Sequence, residues 1–86
     1  MKYKINKGFV IQKLDNKTVI FDSNSSTFFT FNETASFIFK KIKKGEEREK
    51  IIEMVEKKYD IKKERVEKDF NELIADLKKK KIISSI

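Results

Sequence analysis

The spacing of polar and apolar positions changes near residue 32. Before it lie three short runs, Phe9-Val10-Ile11-Gln12-Lys13-Leu14, Thr18-Val19-Ile20-Phe21 and Thr27-Phe28-Phe29-Thr30-Phe31, rich in β-branched and aromatic residues. Such runs, separated by polar clusters, predict strands. The separators are Asp15-Asn16-Lys17 and Asp22-Ser23-Asn24-Ser25-Ser26. With no Pro or Gly in them, Asp, Asn and Ser have to turn the chain through side-chain to backbone hydrogen bonds and left-handed dihedrals. A three-stranded antiparallel meander is the expected result.

From Asn32 onward the period is helical. Ala35, Ile38, Phe39 and Ile42 fall on one stripe, Asn32 is placed to cap it, Glu33 suits its positive end, and Gly45 supplies a left-handed stop. Ile51, Ile52, Val55 and Tyr59 line one side of a second helix. A third is expected from about Lys63 to Lys80 on the stripe Val66, Phe70, Leu73, Ile74 and Leu77. Ile82, Ile83 and Ile86 then form a short apolar tail. Three strands followed by three helices, with no repeat and no linker, predict a single α+β domain over residues 1–86.

Composition narrows the chemistry. The 86 residues contain neither Cys nor His, which removes thiol nucleophiles, disulfides, imidazole bases and the usual zinc and iron–sulfur ligands. Gly occurs only at positions 8 and 45, so no glycine-rich phosphate loop can be written. The carboxylates mostly alternate with Lys on polar faces rather than forming a catalytic pair. The expectation is therefore no enzyme, no cofactor and no metal. No apolar run is long enough to span a membrane, and the stretch from Met1 to Gly8 lacks the features of a signal peptide, so the expected location is cytoplasmic. A net charge of +7 raises the question of nucleic acid.

The ordered set Phe31-Asn32-Glu33-Thr34-Ala35, Ile38, Lys44-Gly45, Ile51-Ile52, Tyr59, Val66-Glu67-Lys68-Asp69-Phe70, Leu73, Leu77 and Ile82-Ile83 resembles the PqqD family over about Phe9 to Ile83. Each piece is a weak motif, but their order and spacing together are moderately specific. Two departures stand out: Glu46-Glu47-Arg48 replaces the Thr that often caps the second helix, and position 63, often a capping residue, is Lys.

The resemblance implies a winged-helix-like fold, a three-stranded antiparallel sheet followed by a three-helix bundle. It also implies a standalone leader-peptide-binding protein, a recognition element for ribosomally made, post-translationally modified peptides. Such a protein captures the precursor's leader as an added strand and presents it to a maturation enzyme. That partner would be a radical enzyme, or a leader peptidase with a cyclase as in lasso-peptide pathways. The implied peptide-binding residues are Thr27, Phe28, Phe29, Thr30 and Phe31 on the third strand, with Val66, Asp69, Phe70 and Leu73 on the third helix.

Side-chain alternation qualifies that set. Phe29 and Phe31 point the same way and serve the core, leaving Phe28 on the other face, while Val66, Phe70 and Leu73 belong to the core stripe as well as to the floor of a cleft. The rival readings are a winged-helix DNA-binding protein and a subunit that dimerises through its sheet edge. DNA is disfavoured because only Arg48 and Arg65 could make bidentate guanine contacts and every helix mixes acids with its Lys residues.

Overall fold

The computed structural model describes residues 2–15 and 17–85; Asn16 of the first expected turn and Ile86 of the expected tail lie outside them. A short strand β1 (Tyr3–Ile5) precedes the meander of β2 (Phe9–Leu14), β3 (Lys17–Asp22) and β4 (Thr27–Phe31). Helices α1 (Glu33–Lys43), α2 (Arg48–Tyr59) and α3 (Lys63–Lys79) follow, and β5 (Ile83–Ser85) ends the described chain. The α+β order expected from the hydrophobic pattern is observed: β2, β3 and β4 form one antiparallel sheet in that order. The turns work as their composition demands. Asp15 and Ser26 adopt positive φ of 54° and 56°, and the Asp22 carboxylate accepts hydrogen bonds from the Asn24 amide and the Ser25 hydroxyl.

One feature lay beyond local pattern. β1 pairs antiparallel with β5, joining Tyr3 to Ser85 and Ile5 to Ile83, so residues 83–85 form a strand rather than a free tail. The Asn6 amide nitrogens extend this clasp, donating to the carbonyls of Ile82 and Lys81 at 2.8 Å each.

Helix boundaries follow from end chemistry. The Asn32 side chain accepts a 2.9 Å bond from the Ala35 amide, and Gly45 takes φ +83° just past α1. α2 and α3 start at Glu47 and Lys62 without a side-chain capping bond; the first agrees with the departure at Glu46-Glu47-Arg48, whereas the cap of α3 is Lys62, one residue before position 63. Burial compensates. Ile20 from the sheet, Phe39 and Ile42 from α1, Ile51 and Val55 from α2, Phe70 and Leu77 from α3, and Ile82 are buried in one cluster. Each such side chain contributes about 1.5–3 kcal/mol relative to exposure.

Candidate functional site

β4 is an outer strand of its sheet. Its register with β3 pairs Thr18 with Phe31, Ile20 with Phe29 and Phe21 with Phe28, and among the described residues its other side has no strand partner. The run Thr-Phe-Phe-Thr-Phe carries no charge and no Pro, the two devices that commonly protect an edge from a guest strand. Alternation sorts its side chains: Phe31 is 8% exposed and meets Phe39 with ring centroids 5.7 Å apart, and Phe29 packs against the core from a half-buried position. Phe28 points outward, 69% exposed, with its ring 4.9 Å from that of Phe21.

Directly past the end of β4, the start of α1 and one side of α3 enclose an open cavity of about 430 Å3. Asn32, Thr34, Ala35 and Ile38 form one wall; Arg65, Asp69, Glu72, Leu73 and Asp76 form the other. The walls meet because the Asn32 cap starts α1 immediately after β4, with no linker to separate the strand from the helix. Lys80 ties the far end of α3 to the strand: its ammonium bonds Asp76 at 2.5 Å and stands 5.0 Å from the Phe29 ring centroid. The groove is therefore bounded by an open strand edge, an apolar patch of Ala35, Ile38 and Leu73, and three acids with one arginine. Arg65 and Lys80 pair with two of those acids, Asp69 and Asp76.

The residues expected from sequence separate into two groups in space. Thr27, Phe28, Phe29, Thr30 and Phe31 form the edge strand, and Asp69 and Leu73 line the cavity. Val66 and Phe70, at 1% and 0% exposure, lie inside the core; they support the groove from beneath and present no surface to it. Sequence spacing passed over Ala35 and Ile38, which were read as core stripe, and Thr34, Glu72 and Asp76. The usable signal was the Asn32-Thr34-Ala35 motif, because a helix that begins where an edge strand ends must bring its first turn beside that edge.

The family model for coenzyme PQQ synthesis protein D (PqqD) matches residues 17–83. The chain belongs to the PqqD family. The match runs from the start of β3 into β5 and so includes the edge strand and both cavity walls. No curated protein matches the chain significantly. Among solved structures, TbiB1 in complex with the TbiA(beta) leader peptide is similar at 22% identity and a TM-score of 0.87, covering 96% of each chain. Lasso peptide synthetase B1 complexed with the leader peptide is similar at 18% identity and a TM-score of 0.89, covering 99% of this chain and 100% of that one. At these identities the two structures establish that the fold is shared along nearly the whole chain.

Proposed function

We propose that this PqqD-family chain acts as one non-catalytic unit that binds the leader of a ribosomally made precursor peptide and presents it to a maturation enzyme. The observation that carries this reading is the uncharged, unpaired edge of β4 running into the cavity between α1 and α3. A guest strand on Thr27–Phe31 would gain main-chain hydrogen bonds at about 0.5–1.5 kcal/mol net each. One or two apolar anchors against Ala35, Ile38 and Leu73 would add about 1.5–3 kcal/mol each. Together these exceed the cost of ordering a flexible peptide and reach micromolar affinity, about 8 kcal/mol.

Similarity to two B1 proteins solved with their leader peptides supports a lasso-type pathway, in which the maturation partner is a leader peptidase working with a cyclase. Asp69 and Asp76 pair with Arg65 and Lys80, so among the cavity carboxylates Glu72 is the one that would meet a basic side chain of the leader, contrary to the acidic leader that the net charge alone invites. DNA binding has less support. The Arg48 guanidinium is engaged with Asn71 at 3.2 Å and Glu49, and lies over the Phe70 ring; Arg65 pairs with Asp69 at 3.9 Å. Arg48 is thus held away from a guanine edge, and Arg65, exposed and only loosely paired, would be a lone base-reading arginine.

The test is an amide-resolved titration with a synthetic leader taken from a precursor reading frame beside this gene, with random duplex DNA in parallel. Saturable shifts at Thr27–Phe31, lost in Leu73→Glu while its circular dichroism spectrum is retained, support the reading. Shifts confined to other surfaces, or tighter binding of the duplex, overturn it.

A further inference from the structure

The side of α1 turned away from the cavity is as unusual as the groove itself. Between Phe37 and Lys44 the helix and its cap carry Lys40, Lys41, Lys43 and Lys44 and no acid. Some exposed cations elsewhere meet carboxylates one turn away: Lys57 bonds Glu53 at 3.1 Å, Arg65 pairs with Asp69, and Lys80 bonds Asp76. Lys40, Lys41 and Lys43 of α1, its cap Lys44, Lys13 and Lys58 form no such pair among the described residues, and Lys13, Lys40 and Lys58 differ from other unpaired lysines in converging on one hollow. Lys13 instead reaches across from β2 to Lys40, and the two, with Ser36, line two adjoining hollows of about 160 and 90 Å3. Lys58 closes the larger hollow from α2, its ammonium 5.3 Å from the Phe37 ring centroid.

We propose that Lys13, Lys40 and Lys58, around the hollow framed by Phe37 and Tyr59, form a second docking site that takes an acidic peptide segment.

Like charges are normally kept apart by flexible side chains, so a converging set at the mouth of a concavity is favourable only when an anion sits among them. The Lys13 ammonium beside Lys40, with Lys44 next, pushes the Lys40 ammonium below the ordinary lysine range, the effect of like charges held close together. Peptide carboxylates suit it better than a nucleic acid. The patch contains no arginine for bidentate phosphate contact. Its aromatic pair, ring centroids 5.8 Å apart and nearly perpendicular, is flanked by the Lys41 and Lys58 ammonium groups rather than open for base stacking. Glu33 also lines the larger hollow and offsets part of the positive charge that Lys13, Lys40 and Lys58 present there.

The site shares α1 with the groove but not its face: Thr34, Ala35 and Ile38 look into the cavity, and Ser36, Phe37 and Lys40 look away from it. Both can be occupied at once, and neither proposal depends on the other.

The test is a titration of the isotope-labelled full chain with a synthetic hexaglutamate peptide, with inorganic phosphate and a short random duplex DNA as separate arms. The expected result is saturable shifts at the Lys13, Phe37, Lys40 and Lys58 amides. Lys13→Glu/Lys40→Glu should weaken the peptide by about tenfold, and the neutral Lys13→Gln/Lys40→Gln by less, while Lys68→Glu/Lys79→Glu on α3, which contributes no residue to either hollow, changes it by less than about twofold. Leader affinity of the same Lys13/Lys40 variants should stay within about twofold of the parent. The proposal is overturned by shifts spread evenly over all lysines, by indifference to the Lys13/Lys40 substitutions, by tighter binding of phosphate or duplex at the same residues, or by a parallel loss of leader affinity.

Discussion

β2 and β4 are the two outer strands of one sheet, each antiparallel to β3 and each with one side unpaired among the described residues. In hydrogen-bonding capacity they are equivalent. They differ in what stands beside them. β2 carries Lys13, drawn into the cationic cluster on α1, and a charged edge discourages strand addition. β4 is uncharged and leads without a linker into the first turn of α1, so its edge continues into a cavity with an apolar patch and an acidic wall. On the proposed reading, the neighbouring helices and not the open edge alone distinguish the strand that holds a guest by its side chains as well as its backbone.

The contrast can be broken most forcefully through stability. Phe31→Ala removes a nearly buried ring that contacts Phe39 and should cost about 3–5 kcal/mol, whereas Leu14→Ala on β2, where the side chain is exposed, should stay within about 0.5 kcal/mol. Urea melts measure both, and equal losses would mean that β4 is not the strand anchored in the core.

A matched pair sharpens the functional side of the comparison. Gln12 and Thr30 are both exposed and both lie opposite Val19. A lysine at Thr30 should weaken leader binding by about tenfold, about 1.4 kcal/mol, and a lysine at Gln12 by less than about twofold. Fluorescence anisotropy with a labelled leader reads the difference, and an equal loss at the two positions contradicts an assignment to β4.

The outer face offers a smaller contrast. Phe28→Ala should cost about 0.5–1.5 kcal/mol through its ring contact with Phe21, and Val10→Ala, across Phe21 in the same row, less than about 0.5 kcal/mol. Thermal melts of the two variants test this ordering.

The smallest effect concerns the charge on the β2 side. Lys40 is depressed mainly by the Lys13 ammonium and then by that of Lys44, so its charge opposes folding wherever folded and unfolded chains are both protonated there. Between the depressed value and the ordinary lysine value the unfolded chain binds more protons, and stability rises with pH through that window. Lys40→Gln should therefore melt slightly higher than the parent at neutral pH and lack that alkaline gain. Calorimetry at the two pH values decides it, and a lower melting temperature for Lys40→Gln at neutral pH contradicts the repulsion.

Local chemistry was readable along the chain. The alternation in Thr27–Phe31 put Phe28 on one face and Phe29 and Phe31 on the other, and Asn32 and Gly45 marked the ends of α1, because these choices depend on dihedrals and contacts within a few residues. The missing cap of α2 showed as a departure from the family pattern, and that of α3 was expected one residue too late, at 63 rather than Lys62. The groove was less so. Val66 and Phe70 share a stripe with Leu73, and spacing could not tell that Leu73 lies at the margin while the other two lie beneath it; that depends on where α1 crosses α3.

By itself, then, the sequence determined the order of the three-stranded meander and three helices, the limits of β2–β4 and α1–α3 to within a few residues, the uncharged character of β4 and the exclusion of thiol, imidazole and phosphate-loop chemistry, all carried by residue type and short-range period. Only the tertiary structure decided that β1 closes on β5 across nearly the whole chain, that the β4 edge opens on a cavity walled by Ala35 and Leu73, and that Lys13 meets Lys40 behind it. Those outcomes depend on how separate elements dock, and docking is set by the summed burial of distant apolar faces, which no local window of sequence contains.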